Sequence, residues 1–390
     1  MLKNKKILLA VSGSISFYKV YELLSLFKKA EAKVYVALSN GVLEFCSPVG
    51  FEALSGNKVL CEKTKDWTSG LNHIDYSKVD LVVIAPASTN TINKLANGIC
   101  DNVFMETLIA SKAPLVIAPA ANTNMLDNPA TKRALEQLRE DGAYIVKPVS
   151  KRLACGDFGN GALASVENIF LAACRAIKRD EFYHDKKVVV TAGPTIEKLD
   201  DVRAITNLSS GKMGRALADA FYLLGADVTL ISSVTTEAPY KIVKFESSVG
   251  LESALTNQKL KKGDIIVMAA AVSDFIPVRV RGKISKDEVG SLISLNFKQN
   301  KDIISTLKFD GVKKIGFKLE TDKKDGLKRA KNMLKDKNLD AVCLNVLDEI
   351  VQFGSSQTRI VFIANNKDEE LALDSKANIA FKIAELIKSL

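Results

Sequence analysis

Twice in this chain a short β-branched run ends in a glycine-bearing turn and hands over to a helix-like stretch. The first is residues 7–11 before Ser12-Gly13-Ser14; the second is residues 187–191 before Ala192-Gly193-Pro194. A strand that turns through glycine into an amphipathic stretch is the opening of a βαβ unit, because parallel strands need a crossover helix to bring the chain back. Two such openings predict two α/β domains. The length of 390 residues agrees, since single cores stop growing at about 250–300 residues.

The alternation can be followed through both halves. In the first, the expected strands are 7–11, 33–38, 81–85, 114–118 and 144–147. Helical periodicity lies between them at 16–29, 89–97 and 129–141, with a last helix at 166–179. A charged stretch at 178–187 without apolar periodicity marks the boundary, so the domains are expected at 1–180 and 186–390. In the second half the expected strands are 187–191, 228–232, 264–269, 314–317, 341–345 and 359–363, with helices at 212–224 and 375–389. Both domains should be doubly wound with mainly parallel sheets. The segment 275–300 breaks the alternation and reads as a flap or hairpin insertion.

Composition removes several function classes. No apolar run approaches the roughly 18 residues of a membrane span, and the start, MLKNKKILLAVSGS, does not read as a secretory leader. The six cysteines form no CxxC pair, so neither a zinc site nor a disulfide framework is expected, no metal ligands are singled out, and a reduced cytoplasmic setting fits. The net charge of +10 is spread along the chain, with one tryptophan and no basic run interleaved with aromatics. That distribution suits anionic small molecules better than nucleic acid.

Four segments of the first half sit where ligands of open α/β sheets bind, at the carboxyl ends of strands. VSGSISFYK lets backbone N–H groups approach a phosphate at a helix start, or is simply a tight turn. APASTNT offers Ser88, Thr89, Asn90 and Thr91 to a polar ring edge; Ser and Thr there are also ordinary helix caps. APAANTNM follows another strand. LACGDFGNG places Cys155 in a glycine-rich loop suited to a mobile flap, although a free cysteine is as readily a packing residue. His73, one of two histidines, has the same pair of readings.

SGSI, APASTNT, PAAN and ACGD, in this order and spacing, resemble the flavin-containing cysteine decarboxylase family, and most of all the decarboxylase half of the bifunctional phosphopantothenoylcysteine decarboxylase/phosphopantothenate–cysteine ligases. The resemblance implies a flavodoxin-like fold and FMN held by Gly13, Ser14, Ile15, Ser39, Ser88, Thr89, Asn90, Thr91 and Ala120. It implies His73 as an active-site histidine, Asn122 as the group that binds the substrate carboxylate, and Cys155 as a proton donor. A cysteinyl carboxylate loses CO₂ only when the carbon bearing sulfur is first oxidised, so a flavin and a final acid are the parts such chemistry requires. Two departures stand out: Ala121 replaces the methionine of PAMN, and Gly161-Ala162-Leu163 replaces GRM.

In the second half, TAGPTIEKLDDVRAITNLSSGKMG leads from a strand through a long loop to a helix start at which Ser209, Ser210 and Gly211 can meet a triphosphate. AAAVSDF follows a strand and brings Asp274 to its end. Lys283, Lys286, Lys298, Lys331 and Lys335 are candidate phosphate clamps or plain surface lysines; Lys331 and Lys335 share one helix face. With AVSD, KISK, GFKLET and KNMLKDKNLD, this half resembles the phosphopantothenate–cysteine ligase domain, expected to be Rossmann-like. The resemblance implies CTP with Mg²⁺ as cosubstrate. Asn207 would stabilise an acyl-cytidylate, and Lys283 would assist its capture by cysteine. Met268, Ala269, Ala270, Asp274, Lys301, Asp302, Ile303, Ile304, Phe317, Lys331 and Lys335 would lie along the nucleotide site. Here Lys301 replaces the family proline, and Leu344-Asn345-Val346 stands where the family has AND. The family further implies a homo-oligomer, with trimeric flavin domains and dimeric ligase domains. A two-Rossmann dehydrogenase would need GxGxxG and a following acid, and neither is present. A non-catalytic flavoprotein would lack the set His73, Asn122 and Cys155.

Overall fold

A computed structural model of the chain describes residues 2–152, 158–285, 293–365 and 367–390. It divides into two compact units, Met1–Arg179 and Asp180–Leu390.

In the first unit β1 (Lys6–Val11), β2 (Lys33–Leu38), β3 (Val59–Leu60), β4 (Leu81–Ala87), β5 (Leu115–Pro119) and β6 (Tyr144–Ile145) form one sheet in the order β3-β2-β1-β4-β5-β6. Every pairing is parallel, with Ala10 opposite Ala37 on one side and Ile84 on the other. The strands are apolar throughout because helices cover both faces; Ile7 to Val11 and Leu81 to Ala85 are completely buried. The covering helices follow their local signals. Pro129–Glu140 starts with Asn128 accepting from the Ala130 N–H and with proline at its first position, and it buries Thr131, Ala134 and Leu138 on one stripe. The helix expected at 16–29 is a 3₁₀ turn, Ile15–Lys19, followed by the helix Val20–Lys29. A hairpin outside the sheet, β7 (Val149–Arg152) with antiparallel β8 (Phe158–Ala162), frames the glycine-rich loop.

The second unit repeats the plan. Its elements are β9 (Lys187–Ala192), β10 (Ile196–Lys198), β11 (Ala204–Thr206), β12 (Asp227–Ser232), β13 (Lys241–Lys244), β14 (Ile265–Met268), β15 (Phe275–Pro277), β16 (Phe297–Gln299), β17 (Lys313–Glu320), β18 (Ala341–Val346), β19 (Gln357–Ala364) and β20 (Lys367–Ser375). The main sheet runs β13-β12-β9-β14-β17-β18-β19-β20. Its first six strands are parallel and ordered as in the first unit; β19 and β20 add on antiparallel. The insertion expected at 275–300 contains an antiparallel pair, β15 with β16. A second small pair, β10 with β11, occupies the loop after Gly193.

Both sheets reverse direction beside their first strand, between β1 and β4 and between β9 and β14. At such a switch point the two adjoining loops diverge to opposite faces and leave a crevice.

Candidate active sites

The first crevice is built from backbone at close quarters. A Cβ on Gly13 would stand 2.9 Å from the Gly41 carbonyl carbon, so glycine alone lets the β1 turn lie against the loop after β2. Ser12 ties the switch point together: its buried hydroxyl donates to the Pro86 carbonyl at 2.7 Å and accepts from the Ser88 N–H at 2.7 Å. Ser14 caps the 3₁₀ turn, accepting from the Ser16 N–H. Ser39 precedes Asn40–Leu43 without using its side chain as a cap.

Ser88 accepts from the Thr91 N–H and contacts the Thr91 hydroxyl at 3.2 Å, so both hydroxyls are engaged in capping Thr89–Ala96. Thr89 and Thr91 are buried, whereas Asn90 is exposed in the first turn. Next to it, the Ala120 N–H donates to the Ala87 carbonyl at 3.0 Å. These contacts draw Gly13, Ser88 and Ala120 to the ends of three adjacent strands. Ile15 and Tyr18 present exposed apolar surface beside them.

The PAAN loop meets the glycine-rich hairpin. The Ala121 N–H donates to the Gly161 carbonyl at 3.0 Å, and a Cβ on Gly161 would fall 1.9 Å from the Ala121 oxygen. Asn122 caps Thr123–Asp127, accepting from the Asn124 N–H at 2.9 Å. Beside it the Thr123 hydroxyl is buried without a hydrogen-bond partner, an arrangement that points to a group outside the chain. Cys155 lies outside the described residues. His73 begins the short helix His73–Ser77; its Nδ1 is 3.3 Å from Glu106 and its ring meets Trp67 edge-on at 5.2 Å. Among the described residues no hydrogen bond joins His73 to the strand-end loops.

In the second unit, Gly193 (φ 86°) and Gly211 (φ 69°) adopt left-handed conformations that favour glycine. A Cβ on Gly211 would lie 3.2 Å from Val234 and 3.3 Å from the Gly193 nitrogen; one on Gly193 would lie 2.3 Å from the Ser233 hydroxyl. The β9 turn, the end of β12 and the start of the helix Lys212–Leu223 therefore form one cradle. That helix has no side-chain cap, and the Ser233 hydroxyl is buried without a partner. Ser209 and Ser210 lead directly into it. Unpaired first-turn N–H groups, the helix dipole and an orphaned hydroxyl make an anion site.

Across the switch point lies a cavity of about 490 Å³. It is lined by Met268, Ala270, Asp274, Lys301, Asp302, Ile303, Ile304 and Phe317, and also by Ser273, Phe275, Asn300, Lys318, Met333 and Lys337. Ala269 lies just past the end of β14, between Met268 and Ala270. Asn207 reaches the same loop, its amide donating to the Ala271 carbonyl at 3.2 Å.

Lys331 and Lys335 do share a face of Lys323–Asp336, but that face is exposed and Lys331 pairs with Asp368 at 2.6 Å. Met333 and Lys337, also four apart, share the face turned to the cavity, and Lys337 pairs with Asp302 at 2.8 Å. The i, i+4 rule was sound; which stripe faces inward is not in the rule. Lys283 is exposed and Lys286 lies outside the described residues; Lys298 sits on the exposed β16. Among the described residues no cluster of three His, Cys, Asp or Glu could hold a metal ion, and no helix is long and apolar enough to cross a membrane.

Two doubly wound units, each with glycines packed closely at its switch point, define a two-domain α/β class. The flavoprotein family model matches residues 1–178, and the model of the DNA/pantothenate metabolism flavoprotein C-terminal domain matches residues 183–390. The chain is 38% identical to the coenzyme A biosynthesis bifunctional protein of Bacillus subtilis (strain 168), over 100% of this chain and 98% of that one. It is 35% identical to the protein of the same description from Haemophilus influenzae (strain ATCC 51907 / DSM 11121 / KW20 / Rd), over 97% and 96%. A solved C-terminal domain of a coenzyme A biosynthesis bifunctional protein is 27% identical, covering 54% of this chain and 97% of its own, with a TM-score of 0.44. The chain belongs to the family of coenzyme A biosynthesis bifunctional proteins, enzymes that join a flavoprotein domain to a ligase domain.

Proposed function

We propose that the second unit couples 4′-phosphopantothenate to cysteine with CTP, and that the first unit decarboxylates the product, 4′-phosphopantothenoylcysteine, to 4′-phosphopantetheine. The order of the domains is then opposite to the order of the reactions.

In the ligase unit the substrate carboxylate attacks the α-phosphorus of CTP, pyrophosphate leaves, and an acyl-cytidylate remains. The Gly193–Gly211–Ser233 cradle, with Ser209 and Ser210, supplies N–H and hydroxyl donors to the triphosphate. Met268, Ala270 and Phe317 give the cavity an apolar wall, and Asp274 sits at its rim as an acceptor for hydroxyl groups. Lys301, Lys318 and Lys337 place positive charge around the same space. Mg²⁺ would arrive on the triphosphate, for the protein offers it no acidic cluster among the described residues. Asn207 donates to the developing charge of the intermediate, and Lys283 assists cysteine's attack.

In the decarboxylase unit, FMN when bound supplies the two-electron chemistry that makes loss of CO₂ possible. The Gly13–Ile15 turn and Ser39 would receive its phosphate and ribityl chain, and Asn90, exposed in the first turn of Thr89–Ala96, would meet its ring edge. The close backbone approach at Gly13 and the orphaned Thr123 hydroxyl fit such a ligand. Asn122 orients the substrate carboxylate and Cys155 gives the last proton. The reading includes a cytoplasmic homo-oligomer, with trimeric flavin domains and dimeric ligase domains.

The observation that carries this reading is the duplicated switch point with closely packed glycines at each. The test is mass spectrometry of the products formed by the purified yellow protein from 4′-phosphopantothenate, cysteine and CTP. 4′-Phosphopantetheine, CMP and pyrophosphate are expected. Pyrophosphate without an amide product, or a colourless protein that takes up no FMN, would each remove one half of the proposal.

A further inference from the structure

The loop between β10 and β11, residues 199–203, holds the root of the segment that carries Lys283. Asp200 is completely buried. Its Oδ1 accepts from the N–H groups of Val202 at 2.7 Å and Arg203 at 2.6 Å, which closes the loop on itself. Its Oδ2 accepts from the Ile284 N–H at 3.1 Å and from the Arg203 guanidinium at 2.6 Å. The neighbouring Asp201 accepts from the Gly282 N–H at 3.0 Å and from Arg279 at 2.6 Å, and its own N–H donates to the Gly282 carbonyl at 3.0 Å. Arg203 also donates to the Ile284 carbonyl at 3.2 Å.

The residues on both sides of Lys283 are therefore tied to one loop. A buried carboxylate persists only where donors meet both its oxygens, and here one of the four donors, the Ile284 N–H, comes from the segment that carries Lys283. The outgoing strand β11 ends at Thr206 and delivers Asn207. Lys283 is thus presented from an anchored root that shares a hydrogen-bonded frame with Asn207, and not from a freely moving tip.

We propose that Asp200 is a positioning residue for the second ligase half-reaction, an inference that rests on the ligase reading above. In that step the amine nitrogen of cysteine bonds to the acyl carbon, and the acyl C–O bond to the cytidylate phosphate breaks. CMP leaves with the electron pair, and the amine's proton passes to water. Asp200 touches none of these atoms. It keeps Lys283 in register with Asn207 while the capture occurs.

The test is Asp200→Asn in the full chain. The carboxamide oxygen can still serve Val202 and Arg203, but its NH₂ then faces two other donors, Ile284 and the Arg203 guanidinium. The root of Lys283 is released while the loop stays closed. Pyrophosphate release from CTP and 4′-phosphopantothenate should stay near the wild-type rate. Amide formation should fall about 10²-fold, the cost of a displacement of about 1 Å. The acyl-cytidylate should accumulate, with the loss in kcat for capture and not in KM for CTP. Undiminished pyrophosphate release by the variant reports that the ligase unit is intact. Asp201→Asn, at a half-exposed carboxylate, keeps one acceptor oxygen and loses either the Gly282 or the Arg279 contact, so it should act in the same direction by about tenfold; it carries the test if the first variant does not fold. Parallel loss of both half-reactions, or no change in either, would overturn the inference. A wild-type enzyme that releases no pyrophosphate with these substrates would instead overturn the ligase reading, and this inference with it.

Discussion

Gly161→Ala tests whether the β7–β8 hairpin works by lying flat against the PAAN loop. Gly161 is buried in β8, and the position its Cβ would take is 1.9 Å from the Ala121 carbonyl oxygen and 3.3 Å from the Thr123 nitrogen. Neither neighbour is a flexible side chain end; both are backbone. The two strands of main chain must part by about 1 Å to relieve the overlap, which breaks the Ala121–Gly161 hydrogen bond. That bond contributes about 1 kcal/mol and the crowding costs about 1–3 kcal/mol, so the hairpin leaves its seat. The hairpin strands flank the segment that contains Cys155 in sequence, while Gly13, Ser39 and Ser88 belong to other turns. Decarboxylation of 4′-phosphopantothenoylcysteine should fall about 10²-fold, with FMN content unchanged and ligase turnover unaffected. The assay is product formation by mass spectrometry beside the flavin absorbance of the same preparation. A rate within about threefold of wild type, where a 1 Å shift should cost far more, would refute the seating argument; loss of FMN would show that the substitution disturbs the flavin turn instead.

Lys283→Gln should still form acyl-cytidylate and pyrophosphate but transfer the acyl group to cysteine about 10²–10³ times more slowly. A quench with and without cysteine, analysed for the mixed anhydride, checks it, and blocked pyrophosphate release would assign the lysine to CTP binding. Cys155→Ser should halt the decarboxylase after CO₂ loss, because serine is a far weaker acid; an oxidised enethiol should build up, and an undiminished yield of 4′-phosphopantetheine would give the proton to another group. Asp374 is held at about 2 by Asn378, Lys382 and the Ser375 N–H. Its folded pKa is depressed, so its contribution is present above the unfolded value of about 3.9 and is lost as pH falls toward 2. Asp374→Asn should therefore be less stable than wild type to urea at pH 7, and the gap should close near pH 2; a gap that persists there would refute the ion-pair account.

The parallel strands were legible because they are buried on both faces and so read as unbroken apolar runs. Residues 33–38 and 187–191 coincide with β2 and the body of β9. Edge strands carry no such signal. Along β20 only Leu371 is buried, so nothing in its charged sequence announces a strand; its ladder to β19 does. β13 has no buried residue either, whereas β3 is fully buried but only two residues long, too short to show a period.

The site divides along a similar line. By itself the sequence determined the doubly wound class and the glycine- and serine-bearing turns, because turn chemistry and periodicity are local properties of the chain. The family likeness of those motifs singled out the eight residues now found around one cavity, from Met268 to Phe317. Only the tertiary structure decided which lysines face that cavity. Helix periodicity groups Lys331 with Lys335 and Met333 with Lys337, but orientation is set by which stripe packs against β17 and β18. Nor could any spacing rule join Asp200 to Ile284, whose hydrogen bond spans 84 residues. Contacts of that length exist only once the strands between have been laid down, so they belong to the fold and not to the segment.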